Sequence, residues 1–168
     1  MKILIAEDNE ETLQAYKDAL EARQHSVLIS ADGEDCLSKY KSTSKGVQES
    51  EAPNFDVVIL DYKMPRKDGL EVAKEILGMN PEQRIIIASG FVDETVEQSI
   101  MHLRRVTEVM RKPFSLDALI STVEDGQVFE GLKALMMNLR FLKNEYPSEE
   151  QMKEIFDGLR KIQKNRTY

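Results

Sequence analysis

The chain has 168 residues, 41% hydrophobic and 32% charged, which suits one ordinary core with an extension and argues against global disorder. Its net charge of −7 is uneven: residues 1–125 carry 15 Lys and Arg against 24 Asp and Glu, and residues 126–168 carry 8 against 6. An acidic body with a weakly basic tail offers no footprint for a nucleic-acid backbone, no apolar run approaches the roughly 20 residues of a membrane span, and a single cysteine, Cys36, excludes an internal disulfide.

The first apolar run, KILIA (2–6), reads as a strand. It turns acidic at once, unlike a secretory signal peptide, so a cytoplasmic setting is expected. Leu13, Tyr16 and Leu20 then share one face of a helix. SVLIS (26–30) is the second strand, and Cys36 falls in the helix after it. Residues 42–54, polar and aperiodic with Gly46 and Pro53, predict a surface loop. DVVIL (56–60) is the third strand and RIIIA (84–88) the fourth; Val96, Ile100 and Leu103 mark the helix that follows. VTEVM (106–110) is a weaker fifth strand, and Leu116, Leu119, Ile120 and Val123 define the last helix of the body. Aliphatic runs alternating with amphipathic helices predict an α/β, doubly wound, five-stranded parallel sheet over residues 1–125.

Residues 126–168 read as a helical hairpin extension. Val128, Leu132, Leu135, Leu139 and Leu142 form an a/d seam of about two heptads. NEYPS (144–148) interrupts it, and Ser148 with Gln151 fits a capping box opening a second helix. Met152, Ile155, Phe156, Leu159 and Ile162 line that helix's apolar face. Three covers are open for these faces: the body itself, a second copy in a homodimer, or a separate protein.

In open α/β sheets the ligand site lies beyond the carboxyl ends of the strands. Here the first strand delivers Glu7 and Asp8, the third Asp61, the fourth Ser89 and then Gly90, and the fifth leads to Lys112 and Pro113. Three carboxylates on one rim repel one another unless a cation neutralises them. Mg²⁺ fits, because it takes carboxylate oxygens and leaves positions for water and a phosphate. Asp61 is then a plausible nucleophile toward a phosphoryl group. Mg²⁺ and the Lys112 ammonium would share the phosphoryl oxygens with the Ser89 hydroxyl.

The motifs AEDN, LDYKMPRKDG, ASG and RKPF, in this order over residues 1–125, resemble the receiver domain of two-component response regulators. The resemblance implies a flavodoxin-like sheet of order 2-1-3-4-5. It further implies Glu7 and Asp8 as the acidic metal pair, Asp61 as phosphoacceptor, and the Lys63 backbone carbonyl as a further Mg²⁺ ligand. Ser89 would be the switch hydroxyl and Lys112 the phosphate-sensing lysine, with Lys112–Pro113 a candidate cis peptide. A partner histidine kinase or phosphotransfer protein would supply the phosphoryl group, and a downstream protein target would receive the signal. Two departures stand out. The aromatic residue that many receivers carry three positions before the lysine is Val109 here, and Phe91 lies where a receiver residue affects access of hydrolytic water. Two other readings are weaker. A haloacid-dehalogenase-type phosphatase places a second aspartate where this chain has Lys63, and a scaffold working without phosphorylation would not need the complete site set.

Overall fold

The computed structural model describes residues 1–44, 55–90, 103, 107–126, 129–131 and 133. Strands β1 (Lys2–Ala6), β2 (Ser26–Ser30), β3 (Val57–Asp61), β4 (Ile85–Ser89) and β5 (Thr107–Arg111) form one sheet. Every pairing is parallel, as the alternating pattern predicts, and the order is β2-β1-β3-β4-β5, as the family resemblance implies. The described helices are α1 (Glu10–Ala22), α2 (Gly33–Ser44), α3 (Gly69–Met79) and α4 (Leu116–Glu124). The helix face of Val96 and Ile100, the position of Phe91, and the seam and second helix of the extension lie outside the described residues.

The aliphatic runs of β1, β3 and β4 are buried because helices cover both faces of the sheet. Alternate residues sort to opposite sides. Leu4, Leu60 and Ile87 pack with Tyr40, Val72 and Ile76 of α2 and α3. Ile3, Ile59 and Ile86 pack with Leu13, Tyr16 and Leu20 of α1 and with Leu119 and Val123 of α4. Edge strand β2 is only partly covered and leaves Leu28 exposed.

Three strands begin and end one residue later than the sequence suggests. Asp56 and Arg84, the polar residues assigned to strand starts, are engaged otherwise. The Asp56 carboxylate accepts from the Lys2 amide at 2.6 Å, and Arg84 enters a buried ion pair. At the other end the ladder continues through Asp61 and Ser89, since Asp61 pairs in register with Ala88 and Ser89 with Arg111. Asp61 and Ser89 are therefore held by strand backbone rather than by loops. In α4, Leu116 is exposed against the predicted apolar stripe. Phe114, packed on the same core and stacked on Tyr16, fills the space at that end of the helix.

Cys36 is fully buried in the core under α2 and α3. Burial pushes its thiol up to about 12, with Asp35 adding to the effect. The thiolate is the reactive form. Cys36 is thus expected to resist alkylation in the folded protein at mildly alkaline pH and to react fully in urea, as mass spectrometry of the intact chain would show.

Candidate functional site

The carboxyl end of β1 leads directly into Glu7 and Asp8. The Glu7 amide donates to the Ser30 carbonyl at 3.1 Å, which extends the β1–β2 ladder by one bond. Asn9, not the acid pair, caps α1: its side chain accepts from the Thr12 amide at 2.8 Å. Glu7 and Asp8 are thereby spared for the rim. Glu7 is buried, Asp8 exposed, and Asp61 buried at the end of β3. One carboxylate oxygen from each lies within 4.8 Å of the others. This oxygen-only donor set suits a hard divalent cation.

Lys112 reaches into the cluster from the end of β5. Its Nζ donates to Glu7 Oε2 and to Asp61 Oδ1, both at 2.6 Å. Its backbone amide donates to the Ser89 carbonyl at 2.8 Å, so the β4 and β5 ends are tied together beside the acids. Burial raises the Glu7 pKa; the Lys112 hydrogen bond opposes this, and the nearby Asp61 charge adds to it. Burial also works against the charge on Lys112, yet hydrogen bonds and charge from Asp61 and Glu7 outweigh it and raise its pKa. The ammonium therefore stands between the two buried carboxylates and offsets their repulsion. Ser89 is buried at the end of β4. The Lys63 side chain is exposed while its amide donates to Asp61 Oδ2 at 3.2 Å. Lys112–Pro113 is cis.

Sequence reasoning missed how the loop after Asp61 is held. Asp68 is a helix cap: with Glu71 it forms a capping box at the start of α3, a D-x-x-E signature visible in the sequence. Arg66 has φ 67, a left-handed conformation disfavoured for a side-chain-bearing residue. Its guanidinium pairs with buried Asp32, which also caps α2 through the Asp35 amide at 2.9 Å. A Cβ on Gly33 would stand 2.3 Å from the Lys67 carbonyl, so the start of α2 lies directly against the loop. These contacts link positions 34 apart and leave no periodic trace.

A five-stranded parallel sheet of this order, with acids at the ends of β1 and β3, is the CheY-like arrangement of the flavodoxin-type fold. The family model "Response regulator receiver domain" matches residues 3–124, and the chain belongs to that family. Among relatives, the response regulator receiver protein CpdR of Brucella abortus is 26% identical over 123 residues, covering 73% of this chain and 93% of that protein. The transcriptional regulatory protein RprY of Bacteroides fragilis is 27% identical over 126 residues, covering 74% of this chain but 48% of that protein. This chain thus spans about half the length of RprY. Among solved structures, the CheX–CheY–BeF3–Mg²⁺ complex from Borrelia burgdorferi superposes with a TM-score of 0.64 at 24% identity, covering 77% of this chain and 89% of that one.

Proposed function

We propose that the protein is a phosphorylation-controlled signalling switch. Asp61 accepts a phosphoryl group from a phosphohistidine on a partner kinase or phosphotransfer protein, with Mg²⁺ bound by Glu7, Asp8, Asp61 and the Lys63 carbonyl. The observation that carries the reading is the Lys112 ammonium at 2.6 Å from both Glu7 and Asp61, inside a cluster of three acids. A site with that charge balance is suited to in-line phosphoryl transfer, which asks mainly for positioning and neutralisation. Asp61 attacks phosphorus, the bond from phosphorus to the imidazole nitrogen breaks, and the histidine is released neutral after taking up a proton. Lys112 and Ser89 then hold phosphoryl oxygens. The family acts as signalling switches, and in this reading output goes through protein-protein contacts.

The test supplies acetyl phosphate with Mg²⁺ and reads the intact mass. The parent should gain one phosphoryl group, and Asp61→Asn none; chelation of the metal should abolish the gain. A parent that stays unmodified, or an Asp61→Asn chain labelled equally, would sink the assignment. Light scattering with and without beryllofluoride then tells whether the extension makes a homodimer on activation.

A further inference from the structure

Lys112 bears its charge on a long stem with much rotamer freedom, so its placement depends on the backbone that carries it. One side of that backbone is fixed by the Lys112 amide bonded to the Ser89 carbonyl. On the other side Phe114, two residues on, stacks on Tyr16 of α1, with ring centroids 5.5 Å apart and planes 22° from parallel. Tyr16 is itself buried on the core face of α1, between Leu13 and Leu20. Such stacked pairs contribute beyond the area they bury. We infer that Tyr16 is a positioning residue for Lys112: its ring clamps the turn from Lys112 to Phe114 against α1, so that the ammonium stays between Glu7 and Asp61.

The electrostatics agree with this placement. Burial pushes the Tyr16 phenol up to about 12, and the charges of Lys112, Glu7 and Asp61 all act on it. Tyr16 thus lies close to the rim and stays neutral at working pH. Immediately after Phe114, the Ser115 side chain accepts from the Ala118 amide at 3.1 Å and starts α4. Among the described residues the turn is therefore held by the Ser89 carbonyl, by the Ser115 cap and, from another helix, by Tyr16.

The inference deepens the switch reading, on which the role of Lys112 rests, but its test does not require phosphoryl chemistry. Lys112 is labelled with an amine-acylating reagent in the folded protein, and the rate is read by peptide mapping. Paired with two carboxylates it should react slowly. Tyr16→Leu should speed its labelling on the order of fivefold, while Tyr16→Phe, which keeps the ring, should leave the rate at the parent value. Leu20→Ala, one turn further along the same buried face, controls for general loosening. It should lower stability without changing the Lys112 rate. Equal Lys112 rates in Tyr16→Leu and the parent would overturn the inference, as would an equal acceleration in Leu20→Ala. Beryllofluoride binding by the parent, measured separately, tests the switch reading.

Discussion

Arg84→Met is expected to lower the unfolding free energy by about 3–5 kcal/mol, the range for a buried ion pair broken from one side. Arg84 sits just before β4, at the end of the sheet opposite the acidic cluster, with its side chain only 6% exposed and that of Glu108 3%. Its Nε and Nη2 donate to the two Glu108 carboxylate oxygens at 2.8 and 3.2 Å. Nη1 donates to the Val123 carbonyl at 2.9 Å, and Nη2 to the carbonyls of Thr122 and Asp125 at 2.6 and 3.1 Å. One guanidinium therefore serves a buried carboxylate and three carbonyls at the C-terminal end of α4, where the helical ladder runs out. Methionine preserves much of the stem's volume and removes every donor. Urea unfolding of Arg84→Met and of Arg84→Met/Glu108→Leu separates the contributions. The double variant should regain most of the loss, because the buried carboxylate is removed together with its cation, and retain a deficit of about 1–3 kcal/mol from the lost bonds to the Thr122 and Val123 carbonyls. A single variant within 1 kcal/mol of the parent would mean that the pair is open to solvent.

The same arginine bears on the extension. Phe129, buried beyond the end of α4, lies with its ring 5.8 Å from the Arg84 guanidinium, and Lys133 pairs with Glu82 in the turn before β4. Phe129 and Lys133 are thus seated on the base of the sheet. These two residues meet the body, and the choice among the three covers open to the extension rests on residues beyond them. The leucine seam beyond it lies outside the described residues.

How much of this was legible in the sequence depended on whether a feature is local. Periodicity marked the aliphatic strands and the buried stripe of α1, because the identity of each residue reflects the face it lies on. The acidic cluster was legible too. Strand ends in an open sheet converge on one rim, so Glu7, Asp8, Asp61 and Lys112 could be grouped without knowing a single distance. Strand boundaries were off by one at β3, β4 and β5, since a charged residue beside an aliphatic run can belong to the ladder, as Asp61 does, or be used elsewhere, as Arg84 is. What could not be read were pairings made only in the fold: Arg84 with Glu108, Asp32 with Arg66, and Tyr16 with Phe114. Each joins residues at least 24 apart, and each residue alone resembles an ordinary surface charge or core aromatic.

Gly69→Ala should damage the site more than the fold. A Cβ at this position would stand 2.2 Å from the Asp61 carbonyl oxygen, 3.1 Å from its carbonyl carbon and 3.3 Å from the Tyr62 Cα. All three are backbone atoms of the segment that presents Asp61, so no side chain can swing aside. Retreat of α3 is opposed by the Asp68–Glu71 capping box and by the Gly69 amide bonded to the Tyr62 carbonyl at 3.0 Å. The strain is relieved most directly by displacing Asp61 itself. Overpacking of this kind costs about 1–3 kcal/mol, and on the proposed reading a shift of the Asp61 backbone should weaken divalent-cation binding by roughly tenfold or more, which corresponds to about 1.4 kcal/mol. Gly78, in the same helix, provides the matched comparison, because a Cβ there meets nothing within 4 Å and its φ is not positive. Gly78→Ala should leave cation affinity unchanged and stabilise the helix by about 0.5–1 kcal/mol. Calorimetric titration with Mg²⁺ alongside thermal unfolding of both variants decides the matter. Parent-like affinity in Gly69→Ala would show that the loop absorbs the methyl group without moving Asp61, and the close contact would then be a feature of packing alone.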